Sequence, residues 1–403
     1  MNDTAVLRQP FVLRFATVGF IVFWTILAAF PLLWITLMSF KLPIDAFASD
    51  PLRVIFGFTT LRERGGLSVT ALVLGAFALW LAYHGAEHHG RRFARYLALG
   101  GREWLGWLLA ALVYVIALIL GLFWILPAIV RVVEAILSHI PVLDYLARPM
   151  MGLTMQNYRA VWIGYRFYDN FINSMIVTTG TVVISLTVGT LAGYGLARTR
   201  SNVAFWLLIA ALIFRALPHS VLVTGYLPVF IHSREFLAPL WNWHATAWFF
   251  HLFSDQPPTL YGQPLAVIMV LVSINQPFTI WMLRSFFMNI PAELDEAARV
   301  DGCSHLGAFR RVIMPVMWPG VITTGLFSFL LAYNDYLVCS LLLDAQSQTM
   351  VPAITSFFNR ETTTTDQVQA VAAAVSITAP LFLLVIVFQK QIVSGLTQGA
   401  VKG

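Results

Sequence analysis

The chain has 403 residues, of which 59% are hydrophobic and 11% are charged, and its formal net charge is +6. Soluble domains carry roughly 25% charged residues, so this composition excludes a soluble protein and predicts a surface that faces lipid. The positive charge is spread thinly, without the basic run that nucleic-acid binding requires. The cysteines, Cys303 and Cys339, fit neither a disulfide framework nor a metal site, and no cofactor is expected.

Apolar stretches predict the spanning helices, because a helix needs about 20 mostly apolar residues to cross a bilayer. In chain order they cover 15–39, 67–83, 104–126, 171–196, 203–231, 264–287, 315–336 and 371–388. Pro127 is expected to bend or end the third stretch, and Pro218 to interrupt the fifth. The first stretch is longer than the apolar core of a secretory signal, so we interpret it as an uncleaved anchor. The sequence therefore predicts an all-α polytopic membrane protein with about eight spanning helices.

Basic residues predict the orientation of these helices. More than half of the 25 basic residues fall in loops on the side of the N-terminus, which the positive-inside rule assigns to the cytoplasm. An even number of spans then places both termini in the cytoplasm. Two outer stretches are long. The first, 127–170, begins as an amphipathic segment that is expected along the outer membrane surface. The second, 232–263, is rich in aromatic residues and is expected to form an interfacial re-entrant or surface helix, with a ligand site as the alternative.

The loops argue against other classes of membrane protein. No lysine belongs to a phosphate-binding loop of the form G-x-x-x-x-G-K-[ST], so this chain is not expected to hydrolyse ATP itself. Acidic residues lie in loops or at helix ends, which weakens an ion-coupled secondary carrier but leaves it open, because backbone carbonyls also bind Na⁺. A cluster near Arg91 has spacing that would suit a metal, but we interpret it as a solvated cytoplasmic loop. Its histidines are His84, His88 and His89.

One cytoplasmic loop predicts a defined structure. Residues 291–300 predict a short helix with Pro291 at its first position and acidic residues in its first turns. Gly302 then permits a left-handed turn, and 304–311 predicts a second short helix. Pro315 is expected to begin the next spanning helix. The apolar residues of the second helix are expected on one side: Leu306, Phe309, Val312 and Ile313. We call this helix–turn–helix segment the elbow.

The elbow resembles the coupling loop of ABC importer permeases, whose pattern is E-A-A, three residues, G, nine residues, I-x-L-P. The matching residues are Glu296, Ala297, Ala298, Gly302, Val312, Met314 and Pro315. Val312 and Met314 replace the isoleucine and the leucine of the pattern. The resemblance implies that the loop at about 289–314 contacts an ATP-binding subunit, with the two alanines allowing close approach.

Other segments resemble the shorter permease subunit of maltose-type carbohydrate importers. They are 30–41, 156–162, 194–198, 334–335 and 395–403. The resemblance implies a tail and first helix at 1–56, an inserted pair of helices at 57–153, and a permease core at 154–403. Together with the first helix, the core then has the six helices of a type I importer permease. In the C-terminal tail, which is expected to be flexible, the residues implied to contact the ATPase are Gly395, Gln398, Gly399 and Lys402.

The implied assembly lies in a bacterial inner membrane. It contains a second permease subunit, two copies of an ATP-binding subunit that hydrolyse the ATP, and an extracytoplasmic solute-binding protein. The implied substrate is a sugar or oligosaccharide, with a polyol or glycerol phosphate as the alternative. An exporter is disfavoured, because ABC exporters are not known to carry the elbow pattern.

A candidate translocation path involves Arg215, which lies about 12 residues into the fifth stretch. A guanidinium at mid-membrane costs about 2.5–3.5 kcal/mol on insertion scales, so such a residue is expected to face the bundle interior or water. Asn275 and Gln276, midway along the sixth stretch, are the other candidates. The alternative is that Arg215 satisfies carbonyls at the broken helix or pairs with the partner subunit.

Overall fold

The computed structural model describes residues 11–96, 109, 113–114, 116–199, 201–217, 219–243, 247–250, 257–358 and 363–400, with the backbone alone at 11, 86–96, 219–220, 249–250, 356, 358 and 390–400. The helices are α1 (Phe11–Ser39), α2 (Pro43–Ala46), α3 (Pro51–Phe56), α4 (Phe58–Arg64), α5 (Val69–Tyr96), α6 (Ile116–Ser138), α7 (Asp144–Ala147), α8 (Gln156–Arg159), α9 (Phe167–Arg198), α10 (Asn202–Arg215), α11 (His219–Ile231), α12 (Ser233–Trp241), α13 (Ala247–Phe250), α14 (Pro264–Met288), α15 (Glu293–Val300), α16 (His305–Tyr333), α17 (Leu337–Leu342), α18 (Met350–Phe358) and α19 (Thr364–Ala400). The strands are β1 (Gly66–Ser68) and β2 (Pro149–Gly152). Single π turns occupy Gly121–Ile125, Ala160–Gly164 and Phe309–Ile313.

Among the described residues, six helices are long and apolar enough to cross a bilayer: α1, α6, α9, α14, α16 and α19. Shorter apolar helices occupy Val69–Gly85, Asn202–Arg215 and Val221–Ile231. The prediction of an all-α polytopic membrane protein is confirmed, with a two-stranded ribbon that the sequence did not predict. The break between α10 and α11 confirms the interruption expected at Pro218, a residue that lies outside the described ones.

Two prolines that were expected to delimit helices lie inside them. The helix α6 continues through Pro127 to Ser138, so Pro127 does not end it. Pro315 lies in the first turn of the regular α-helix Met314–Tyr333, as expected, although the helical backbone already begins at His305. In each case a π turn ends two residues before the proline. A π turn shifts the carbonyl oxygens that a proline ring would otherwise disturb. The helix can therefore continue although the proline has no N–H to donate.

The helix α5 also extends further than expected. Its backbone is helical from Val69 to Tyr96, so the expected solvated loop around Arg91 is a continuation of the helix. Charged residues and histidine are tolerated in a helix once it leaves the bilayer, and no proline interrupts this segment.

The chain forms two compact units. One contains the described residues of Met1–Arg159 with Thr363–Ala372, and the other those of Ala160–Thr362 with Ala373–Gly403. In the first unit, β1 pairs antiparallel with β2, which places Gly66 opposite Gly152. The ribbon therefore brings together the two places where the expected insertion leaves and rejoins the chain. Glu134 on α6 accepts a hydrogen bond from Ser68 at the end of β1.

A fully buried lysine lies at the base of this ribbon. The Nζ atom of Lys41 donates to the carbonyl oxygens of Ile55 at 2.8 Å and Gly152 at 2.5 Å. Burial lowers the pKa of Lys41 to about 8, partly offset by the charge of Asp45. Asp45 is itself buried and accepts hydrogen bonds from the backbone N–H and the hydroxyl of Thr60. These hydrogen bonds therefore connect the end of α1 to the chain segments at both ends of the expected insertion.

In the second unit, α9, α14 and α16 pack closely through small residues. A Cβ atom at Gly189 would lie 2.6 Å from Cγ2 of Thr279, and one at Gly193 would lie 3.1 Å from the backbone nitrogen of Arg284. Without a hydrophobic driving force between helices in lipid, such close approach is what stabilises a membrane bundle. Polar side chains add interhelical bonds, as where Nδ2 of Asn275 donates to Oγ of Ser328 at 2.7 Å.

Candidate functional site

The elbow has the predicted helix–turn–helix form. Its first limb is α15, and its turn contains Gly302 at φ +87°, which confirms the left-handed turn. Among the residues that the structure describes, none has an atom within 4 Å of a Cβ built at Gly302, so it is the backbone angle that calls for glycine there. The side chain of Ser304 accepts from the N–H of Gly307 and caps the second limb, which is the start of α16. The first limb begins at Glu293 rather than at Pro291.

The residues of the coupling pattern divide into an exposed set and a packed set. Glu296, Ala297 and Gly302 are exposed. Val312 and Met314 are half-buried and pack against an apolar cluster that contains Phe287 and Ile313, at the end of α14 and the start of α16. The structure therefore brings the pattern into one elbow, with a surface part and an anchoring part.

Two details of the expected packing are wrong. Ala298 is buried within this chain, so only Ala297 of the alanine pair is available to a partner. Leu306 does not share the buried side of Phe309 and Ile313. Leu306 is 69% exposed, and Val300 at the end of α15 is 87% exposed.

Three residues that the sequence analysis did not assign to the site anchor the elbow to α9. The carboxylate of Asp295 accepts from Oη of Tyr194 at 2.6 Å and from Nε of Arg198 at 2.7 Å. Nη1 of Arg198 also donates to the carbonyl oxygens of Phe287 at 3.4 Å and Ile290 at 3.2 Å. The available signal was the spacing of Tyr194 and Arg198, which places both on one face of a helix.

The same residues border a polar pocket of about 320 Å³ at the inner side of the elbow. Its charged and titratable lining consists of Tyr194, Arg198, Asp295, Glu296, Arg299 and His305. Glu296 of the coupling pattern therefore lies beside the residues that anchor the elbow to α9. The elbow carries both acidic and basic side chains near its exposed apolar residues.

The three candidate path residues occupy different environments. Arg215 is the last residue of α10, and its guanidinium carbon lies 4.7 Å from the ring centroid of Phe278 on α14. Gln276 borders a cleft of about 620 Å³ between α9, α10 and α14, together with Ala211, one turn before Arg215. Asn275 is fully buried between helices and is absent from the lining of this cleft.

Arg215 and Gln276 retain unused hydrogen-bonding capacity. Nε of Arg215 and Oε1 of Gln276 are buried and find no hydrogen-bond partner among the described residues. The other end of the Gln276 amide donates to the carbonyl of Ser185 at 3.4 Å. Gln276 thus leaves a polar atom beside the cleft, and Arg215, over the ring of Phe278, leaves another for a further group.

The C-terminal contact residues lie on a helix as far as the structure describes them. Gly395, Gln398 and Gly399 belong to α19, so the expected flexible tail is wrong up to Ala400. Lys402 lies outside the described residues.

Residues 185–398, which include the elbow, match the model of the family described as "Binding-protein-dependent transport system inner membrane component". The chain is 32% identical over 252 residues to the trehalose transport system permease protein of Mycobacterium tuberculosis, covering 62% of this chain and 83% of that protein. It is 34% identical over 253 residues to the diacetylchitobiose uptake system permease protein of Streptomyces coelicolor, covering 62% and 82%.

A structural match is a chain of a bacterial ABC transporter involved in import of the acidic polysaccharide alginate, with 18% identity, a TM-score of 0.46, and coverage of 70% of this chain and 96% of that one. On the family match and the sequence relatives, this chain belongs to the inner membrane components of binding-protein-dependent transport systems.

Proposed function

We propose that this chain is the permease subunit of an ABC importer for a sugar or oligosaccharide, and that its elbow couples ATP hydrolysis on a separate subunit to transport. The observation that carries this proposal is the form of the elbow. An exposed surface of Glu296, Ala297, Val300 and Leu306 is joined through a buried ion pair to a spanning helix. A surface of this kind is suited to a protein partner, because exposed apolar residues in a polar setting mark interaction sites.

The proposed assembly has a second permease subunit, two ATP-binding subunits beneath the elbows, and a solute-binding protein on the outer side. The positive-inside rule supports an elbow, and both chain termini, in the cytoplasm. ATP binding closes the ATPase pair, the elbow moves with it, and the two permease subunits alternate between inward and outward openings by rigid-body movement.

The proposed path passes the cleft between α9, α10 and α14. Gln276 lines this cleft and Arg215 lies one turn beyond its lining residue Ala211, and the unsatisfied Oε1 and Nε atoms of the two side chains are suited to hydroxyl groups. Asn275 supports the path from behind by fixing α14 against α16. The names of the sequence relatives favour a di- or oligosaccharide as the substrate. A polyol or glycerol phosphate is the alternative that a multi-donor guanidinium also fits.

The experiment uses the complete complex in proteoliposomes with its sugar-loaded binding protein. Sugar uptake and ATP hydrolysis are measured together for the wild type and for Glu296→Lys, which reverses an exposed charge on the elbow. We expect the variant to assemble but to lose uptake and the stimulation of ATP hydrolysis by the binding protein. Unchanged uptake and stimulation would contradict the proposed coupling role of the elbow.

A further inference from the structure

We propose that Asp295, Tyr194 and Arg198 form the joint through which movement of the elbow drives the C-terminal end of α9. We call these three residues the joint. The inference rests on the proposed function and adds positioning residues that the coupling pattern does not contain.

The bonds of the joint are short and shielded. The Arg198–Asp295 pair is 2.7 Å apart and its side chains are 21% and 12% exposed. Charge-assisted hydrogen bonds are roughly twice as strong as neutral ones, and shielding from water preserves that strength. The pair joins residues that are 97 positions apart, so it connects separate elements rather than adjacent turns.

Arg198 ties α9 to two further elements at once. One arm of its guanidinium holds Asp295 on α15, and the other donates to the carbonyls of Phe287 and Ile290 at the end of α14. These carbonyls follow or close the last turn of a helix, where intrahelical partners run out. A single fork-shaped cation thereby fixes three chain segments, which a lysine with its single ammonium cannot reproduce.

Tyr194 connects both limbs of the elbow to α9. Its hydroxyl binds Asp295 on the first limb, while its ring lies 4.8 Å from the ring of Phe309 on the second limb and 5.5 Å from that of Phe287. The close approach at Gly193, one residue earlier, leaves little space for α9 to slide on α14. The elbow and the end of α9 therefore move as one body while the joint is intact.

Without the joint, the elbow would remain connected through α16, which continues from its second limb, and through the short segment between α14 and α15. The ATPase would still bind the exposed surface, but its movement would bend that segment instead of displacing α9. The joint thus predicts a particular failure, in which ATP is hydrolysed without transport while the complex stays assembled.

The test compares Asp295→Asn, Asp295→Glu and Tyr194→Phe in the complete complex, measuring ATP hydrolysed per sugar molecule imported. We expect Asp295→Asn to raise this ratio about tenfold. Tyr194→Phe, which removes only the hydroxyl, should raise it about threefold. Asp295→Glu keeps the charge and should recover part of the loss. Asp169→Asn is the matched control, because it removes an exposed ion pair at the other end of α9 and should leave the ratio unchanged.

Glu296→Lys separates the two proposals. If Glu296→Lys uncouples transport while Asp295→Asn and Tyr194→Phe do not, the joint is wrong and the coupling role of the elbow stands. If Glu296→Lys has no effect, the proposed function itself fails. If Asp295→Asn does not assemble, Tyr194→Phe decides: a normal ratio in an assembled Tyr194→Phe complex overturns the joint.

Discussion

The two ends of α9 carry the same type of ion pair in opposite settings. At the N-terminal end, Arg166 pairs with Asp169 at 3.0 Å, three residues away, and the side chains are 70% and 40% exposed. At the C-terminal end, Arg198 pairs with Asp295 at 2.7 Å, and both side chains are largely shielded. An exposed local pair contributes little to stability, whereas removing one partner of a buried pair leaves an uncompensated charge.

The backbone shows the same contrast. Arg166 has φ +55°, an uncommon value for a residue with a side chain, and its guanidinium carbon lies 5.7 Å from the ring centroid of Tyr168. At the C-terminal end of α9, one guanidinium instead contacts both α15 and the end of α14. The elbow is therefore fixed to α9 through a shielded charge pair, whereas the other end of α9 is held by neutral contacts, such as the hydrogen bond from Nδ2 of Asn170 to the carbonyl oxygen of Gln348 at 2.9 Å.

The largest expected effect comes from changing the turn of the elbow. Gly302→Val forces a branched residue into a left-handed conformation, which costs roughly 1–2 kcal/mol even for an ordinary residue. We expect the protein to insert normally but to lose sugar uptake and to hold its ATPase weakly. Co-purification of the ATPase and uptake in proteoliposomes measure both effects. Gly225→Val, in α11, is the control, because its surroundings are also open. Normal uptake by Gly302→Val would contradict the elbow assignment.

A smaller effect is expected at the cleft, away from both ends of α9. Arg215→Gln should lower uptake or change which sugars are carried, since it removes the cation over Phe278. Arg215→Lys keeps the charge and should retain more uptake. Basal ATP hydrolysis and assembly should stay intact in both variants. Failure of both to assemble, or normal uptake of every sugar by both, would remove Arg215 from the path.

Deletion of 395–403 is expected to act on the cytoplasmic side alone. Up to Ala400 this segment belongs to α19, and we propose that it reaches the ATPase, so its loss should lower receptor-stimulated ATP hydrolysis by about a few-fold, on the order of one lost hydrogen-bonded contact. Binding of the solute-binding protein is the control and should not change. Full stimulation after the deletion would assign this end no coupling role.

The smallest effect is on topology, and it tests which end of α9 faces the cytoplasm. Ala94→Cys, near the end of α5, should react with an impermeant thiol reagent only after the membrane is opened. Ala345→Cys, exposed between α17 and α18, should react in intact cells. Transport should be unchanged in both variants. Labelling of Ala94→Cys in intact cells would reverse the orientation and with it the side on which the elbow lies.

The features that hydropathy and backbone conformation dictate were predictable from the sequence. Spanning stretches stand out because lipid demands long apolar helices, and Gly302 stands out because few residues adopt its conformation. The continuation of α6 through Pro127 and of α16 through Pro315 was not predictable, since a π turn leaves no clear mark in the sequence.

The contacts of the joint could not be predicted from the sequence for a different reason. Asp295 looks like any acidic residue in the first turns of a helix, where the helix dipole favours it. Its partners lie 97 and 101 positions away, and one sequence does not reveal such pairing. The same holds for Lys41, whose buried ammonium group donates to carbonyl oxygens 14 and 111 positions away.

The most direct test of the account is a photo-crosslinker placed at Val300, on the exposed part of the elbow. The complete complex is purified through a tag on this chain, irradiated, and its crosslinked products identified by mass spectrometry. We predict an adduct with the ATP-binding subunit at Val300. The matched position Val73, 61% exposed on the apolar helix α5, should give none. An active complex in which Val300 forms no adduct with the ATP-binding subunit would contradict the proposed contact between the elbow and that subunit.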